Sequence, residues 1–128
     1  MQYDFKAIAD EYKPLGKYLV KKEDDGGFSV DWKNEDAIRC LTQAIMIVSF
    51  KLRSYELPRG YLVPRIPQRE AYLDWINKLF ERTDDKVSSG FDIGVGANCI
   101  YPILGQLKYG WQMCGSEVSK DSIEWAEN

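Results

Sequence analysis

The sequence predicts an α/β chain in two parts: a mostly helical leader over residues 1–85, and a strand, glycine turn, helix, strand, helix unit over 86–128. Three observations carry this. Apolar residues recur at three and four through most of the first part. The stretch GFDIGVGANCIYPILG then sets two glycines one residue apart between a short apolar run and a helical pattern. A second short run, WQMCGSEV, ends in an acid and is followed by a helix start.

In order, Phe5, Ile8, Ala9 and Tyr12 give an amphipathic helix over 4–13 with Asp4 as its N-cap. EDDGG at 23–27 is a turn, and Phe28, Val30 and Trp32 alternate with polar residues as one face of a half-buried strand. Asn34 then caps a helix whose stripe is Ile38, Leu41, Ile45 and Val48, expected to run to about Arg53 before Pro58. LPRGYLVPRIPQRE carries three prolines and a glycine in fourteen residues, so it is expected to be a stiff, extended connection. A third helix starts near Pro67 or Gln68 and ends at RTDDK, with Ala71, Ile76, Leu79 and Phe80 on its stripe and Tyr72 and Trp75 as core residues.

The second part reads as a strand through about 88–93, a glycine turn, and a helix over CIYPILGQLKY with Pro102 in its first turn and Gly110 as its stop. WQMCGSEV is the next strand, and a helix begins from Ser119 or Asp121. A parallel strand pair joined by a helix is expected to cross over right-handedly.

Composition narrows the chemistry. With 45% hydrophobic and 29% charged residues, the chain is a folded globular one of about one domain. Its N-terminus lacks a basic start followed by an apolar block, and no run of about 18 apolar residues occurs, so a cytoplasmic protein with no membrane partner is expected. Cys40, Cys99 and Cys114 are expected to be small buried hydrophobes, since no CxxC and no histidine accompany them. Without histidine there is no imidazole to serve as the base of a serine or cysteine nucleophile, and no metal site is expected.

The net charge of −3 is unevenly spread: residues 1–69 hold 12 Lys/Arg against 10 Asp/Glu, and 70–128 hold 5 against 10. Lys51, Arg53, Arg59, Arg65 and Arg69 face only Glu56, a local excess that suits a phosphate or a carboxylate. Lys6, Lys13, Lys17, Lys21 and Lys22 offer RNA contacts, or an ordinary solvated surface.

The chemistry concentrates at Asp92-Ile93-Gly94-Val95-Gly96-Ala97-Asn98, a strand end opening onto a helix. Gly94 permits the turn, Gly96 admits a ligand to the backbone, and Glu117, 25 residues after Asp92, can accept hydrogen bonds from ribose hydroxyls. A pyrophosphate site wants glycine or alanine at position 99, and Cys99 stands there; ligands that carry no pyrophosphate, S-adenosylmethionine among them, relax that demand. A structural turn whose Glu117 faces solvent, a noncatalytic nucleotide-binding or interaction module, and a nucleotide-dependent oxidoreductase remain open on these residues alone.

The run FDIGVGANCIYPILGQLKYGWQMCGSE, together with SVDWKNEDAIRCLTQAI and GYLVPRIPQREAYLDWI upstream, resembles the large-subunit (23S) ribosomal RNA adenine-N6 methyltransferases. The resemblance covers nearly the whole chain and implies the N-terminal portion of a Rossmann-like S-adenosylmethionine-dependent methyltransferase fold. It implies S-adenosylmethionine as methyl donor, with Gly94 and its neighbours against it, Asn98 near its methionine end, Glu117 on its ribose, and Arg69 on its carboxylate. Asp92 and Gly96 complete the expected donor site. Each has a plainer reading: Asn98 as a helix cap, Arg69 paired with Glu70 or Asp74.

Ribosomal RNA is the partner the resemblance implies. The family's Asn-Pro-Pro-aromatic motif, which holds the acceptor adenine, does not occur in the 128 residues, so the chain alone is expected to be inactive. With the fourth strand absent, the first strand's apolar edge is expected to stay open and to promote self-association, or low stability in a monomer.

Overall fold

In a computed structural model that describes residues 3–128, the chain divides into two compact units, 1–57 and 58–128. The sequence-based division at 85/86 followed the change of pattern; the division by contacts groups the third helix with the sheet.

In the first unit, α1 (Phe5–Glu11) starts where the Asp4 carboxylate accepts a hydrogen bond from the Ala7 amide. This satisfies one of the four amides that a helix start leaves unpaired. A 3-10 helix over Lys13–Tyr18 follows, with a proline in its first turn, and then β1 (Leu19–Lys21) pairs antiparallel with β2 (Phe28–Val30). Neither the 3-10 turn nor β1 was expected, because three residues are too few to show a period.

β2 is also shorter than its alternation suggests. Val30 is buried, whereas Phe28 and Trp32 are exposed and Trp32 meets Phe5 edge-on at 6.3 Å. α2 (Glu35–Val48) begins as expected, the side-chain oxygen of Asn34 accepting from the Asp36 and Ala37 amides. It stops five residues short of Arg53: Ser49 caps it and Lys51 takes a left-handed conformation with φ 60°, which ends the helix before Pro58 does. Ala37, Leu41, Ala44, Ile45 and Met46 are its buried face, wider than the stripe in the sequence.

In the second unit, α3 (Ile66–Glu81) carries Pro67 in its first turn, where a missing amide costs least. Its buried residues are Ile66, Glu70 and Leu73. Tyr72 and Trp75 are therefore not core residues: they are 51% and 61% exposed, and Leu79 and Phe80 share their exposure. Helical spacing shows that such a stripe exists, not that an element covers it.

β3 (Ser89–Ile93) and β4 (Gln112–Ser116) pair in parallel, Phe91 opposite Cys114 and Ile93 opposite Ser116. Between them runs α4 (Ile100–Tyr109), with Pro102 in its first turn and Gly110, at φ 68°, stopping it. α5 (Lys120–Glu127) starts at Ser119, whose hydroxyl accepts from the Ser122 amide. Ile66, Leu73, Ala97, Ile100, Leu104 and Trp111 are the apolar core of this unit.

The cysteines divide three ways, against expectation: Cys40 is buried, Cys99 half-buried and Cys114 exposed. Cys114 shares its sheet face with Phe91 and Ile93, and Ile93 is 85% exposed. No helix among the described residues is long and apolar enough to cross a membrane.

Candidate functional site

The six residues singled out in the sequence, Arg69, Asp92, Gly94, Gly96, Asn98 and Glu117, line one cleft of about 360 Å³ in the second unit. That volume lies within the range of small-molecule sites. The cleft sits at the carboxyl ends of β3 and β4, between the glycine turn, the start of α4 and the N-terminal part of α3.

Backbone geometry builds its floor. The Gly94 and Val95 amides both donate to the Ser116 carbonyl, at 2.8 and 2.9 Å, folding the turn back onto the end of β4. Gly94 and Gly96 hold φ of 76° and 68°, a region that side chains with a Cβ rarely adopt. A Cβ placed on either would meet nothing within 4 Å, so their bare Cα atoms face open space.

Glu117 fastens this floor. Its Oε2 accepts from the Gly96 amide at 2.9 Å, and its Oε1 accepts from the Val118 and Ser119 amides at 2.7 and 3.1 Å. The Ser119, Val118 and Gly96 amides hold its carboxyl below the usual glutamate range, so it is ionised at neutral pH. Its bland reading, a side chain facing only solvent, does not describe these bonds.

Asp92, at the other side of the turn, has neither a hydrogen-bond partner nor an ion pair for its carboxylate among the described residues, and burial raises its pKa. Asn98 does act as a cap, its side-chain oxygen accepting from the Ile100 amide at 3.1 Å, and it lines the cleft as well. Cys99, at the position where a dinucleotide site wants a small residue, stands at φ 48° and donates its thiol to the Gly96 carbonyl at 3.8 Å. Burial, then the Asp92 charge, push this thiol's pKa up, so it is not poised as a nucleophile.

Arg69 departs from its plainer reading. Its guanidinium donates to the Gln68 side chain at 3.2 Å and pairs with neither Glu70 nor Asp74. Those two carboxylates instead share Lys108 of α4, at 3.3 and 2.9 Å, and the Tyr109 hydroxyl also donates to Asp74. The Tyr109 and Lys108 hydrogen bonds keep the Asp74 carboxyl below its usual range. Burial opposes the charge on Lys108, but Asp74 and Glu70 outweigh it and raise its pKa.

The sequence reading did not single out Tyr61, Leu62, Pro64, Ile100, Tyr101 and Ser122, which also line the cleft. Tyr61, Leu62 and Pro64 come from the proline-rich connection, whose stiffness was the available signal. Tyr101 is held by an edge-on contact with Tyr72 of α3 at 5.5 Å.

A cation with no carboxylate partner among the described residues, an acid held ionised by backbone amides, and an open glycine floor suit a ligand with a carboxylate at one end and hydroxyls at the other. Residues 1–128 match a family model described as RNA methyltransferase. Ribosomal RNA large subunit methyltransferase F of Bacteroides fragilis is 38% identical over 96% of this chain and 44% of its own length. The protein of the same name from Photobacterium profundum is 34% identical over 98% and 39%. Among solved structures, the N-terminal domain of human METTL16 in complex with SAH matches with a TM-score of 0.84 at 31% identity, over 98% of this chain and 48% of that one. The hMettl16 catalytic domain in complex with MAT2A 3'UTR hairpin 6 matches with a TM-score of 0.83 at 32% identity, over 98% and 43%. The chain thus spans less than half the length of these relatives.

Proposed function

The chain belongs to the RNA methyltransferase family and shares the Rossmann-like methyltransferase fold of the METTL16 domain; from that premise we propose that its cleft is the donor half of an S-adenosylmethionine-dependent site. The whole enzyme methylates the exocyclic amine of an adenine in ribosomal RNA. The observation that carries this is the convergence of Arg69, Asp92, Gly94, Gly96, Asn98 and Glu117 on one cleft.

In this reading Arg69 holds the donor's carboxylate, a charge-assisted bond left available because no carboxylate among the described residues pairs with it. Glu117 accepts from the ribose, pre-set by the three amides that orient it. Gly94 and Gly96 let the donor lie against the backbone, and Asn98 stands at the methionine end while capping α4. When bound, S-adenosylmethionine supplies an electrophilic methyl group on a sulfonium. Positioning it is the work of these residues; the acceptor base needs the Asn-Pro-Pro-aromatic motif, which the 128 residues do not contain. The chain by itself therefore binds donor without transferring its methyl group.

The proline-rich wall supports the same reading: a stiff segment loses less entropy on closing over a ligand. β3 has no second strand neighbour among the described residues, which supports self-association through its free edge. Calorimetric titration of the 128-residue chain with S-adenosylhomocysteine tests the function. Binding that Arg69→Met and Glu117→Gln each weaken is expected; binding of NAD with no response to S-adenosylhomocysteine overturns it.

A further inference from the structure

We propose that Lys108, outside the cleft, is a positioning residue that sets Arg69 for the donor's carboxylate. The proposal rests on the donor-site reading of Arg69 above.

Arg69 reaches the cleft from α3, while the turn and Asn98 reach it through the start of α4. The usefulness of Arg69 therefore depends on how α3 is rotated and slid against α4. Glu70 and Asp74, four apart on α3, lie on one face of the helix, and a single ammonium, Lys108 near the end of α4, meets both at 3.3 and 2.9 Å. Two anchors one turn apart on a single cation oppose both rotation and sliding of α3. Tyr109 reinforces the second anchor by donating to Asp74.

Burial makes the arrangement costly to leave half-made. The Glu70 side chain is 6% exposed and that of Lys108 20%, so removing the ammonium leaves a buried carboxylate without that charge partner. Glu70 adjoins Arg69 in the chain, and any shift that brings Glu70 toward water moves Arg69 with it. Tyr72 against Tyr101 is a further bridge between the helices, and Tyr101 also lines the cleft. Lys108 touches no ligand in this scheme; it acts through the backbone of α3.

The test compares S-adenosylhomocysteine with 5'-methylthioadenosine, which lacks the aminoacyl carboxylate, by calorimetry on the 128-residue chain. The wild type is expected to prefer S-adenosylhomocysteine, and Arg69→Met to abolish that preference. Lys108→Met is expected to weaken S-adenosylhomocysteine on the order of tenfold while sparing 5'-methylthioadenosine, and to add nothing in the Arg69→Met background. Lys108→Arg restores part of the preference, and Tyr109→Phe, which keeps the ammonium, gives a smaller loss of the same selective kind. Tyr109→Phe also serves if Lys108→Met does not fold. Equal weakening of both ligands, or none, overturns the positioning role while leaving Arg69 as the carboxylate partner. A wild type that binds both ligands equally, unaffected by Arg69→Met, overturns the Arg69 reading and this inference with it.

Discussion

Glu117 and Gly96, 21 residues apart, are joined by a 2.9 Å hydrogen bond from the glycine amide to the carboxylate. The bond ties the glycine turn to the end of β4, so the residue expected to meet a ribose also shapes the floor beneath it. Glu117→Gln keeps the size of the side chain but turns one of its two oxygens into a donor, which cannot accept from these amides. Its affinity for S-adenosylhomocysteine is expected to fall about tenfold or more by calorimetry.

The stability of the same variant has a defined pH dependence. Because the folded pKa of Glu117 lies below its ordinary 4.5, its contribution is present above that value and is lost as the pH falls through the lowered one. Thermal melts are expected to place Glu117→Gln below the wild type at pH 7, with the gap closing in acid below the ordinary glutamate value. A gap that persists unchanged at pH 3 counts against the amide clamp.

Asp92 carries the opposite sign. Burial raises its folded pKa above the ordinary 3.8, so its stabilising contribution is complete below that value and is lost as the pH rises through the raised one. Asp92→Asn is therefore expected to melt higher than the wild type at pH 7 and to bind S-adenosylhomocysteine more weakly. The two readouts moving in opposite directions mark a side chain kept for binding; a variant that loses both marks a structural one.

Two glycines separate conformation from space. Gly96→Ala puts a Cβ at φ 68° with nothing within 4 Å, so its cost is backbone strain of roughly 1–2 kcal/mol, and the new methyl projects into open space beside the turn. Gly115→Ala on β4 meets the Val95 Cβ at 2.8 Å, an overpacking expected to cost about 1–3 kcal/mol and to push Val95 and the turn outward. Urea denaturation is expected to show loss in both, with donor affinity falling further than stability in Gly96→Ala.

What was legible follows from the range of the interaction involved. Asp4, Asn34, Ser119 and Gly110 act within one helical turn of themselves, and each ends or starts a helix where local chemistry says it should. The cleft residues were legible for a second reason: a parallel strand pair with a helix between its strands brings Gly94 and Glu117 to one end of the sheet. What failed needed knowledge of a neighbour. Trp75 and Tyr72 have the spacing of a core face yet stay more than half exposed, Cys114 lies on an exposed sheet face, and the lysine that Glu70 and Asp74 share is 34 residues beyond Asp74. No local pattern contains such a pairing.

Cys99 tests the reading of the turn itself. At φ 48° it holds a left-handed conformation that costs a non-glycine residue about 1–2 kcal/mol, partly offset because glycine gives up more chain entropy on folding. Cys99→Gly is expected to gain about 0.5–1 kcal/mol in urea denaturation, whereas Cys99→Ala keeps the strain and loses the thiol contact to Gly96. A Cys99→Gly variant less stable than Cys99→Ala shows that the thiol contact, not the backbone, decides this position.

The free edge of β3 yields the last prediction. Parallel sheets are ordinarily covered on both faces and paired through several strands, yet here β3 and β4 stand as a pair with α4 packed against them. Phe91 and Ile93 are exposed on the strand whose outer backbone groups have no neighbouring strand among the described residues, the combination that favours pairing between chains. The 128-residue chain is expected to self-associate with rising concentration in light scattering, and Ile93→Lys, which places a charge beside that edge, to shift it toward monomer without lowering the affinity for S-adenosylhomocysteine. A chain that stays monomeric and monodisperse at millimolar concentration, melting no lower than Ile93→Lys, shows that the edge is not adhesive.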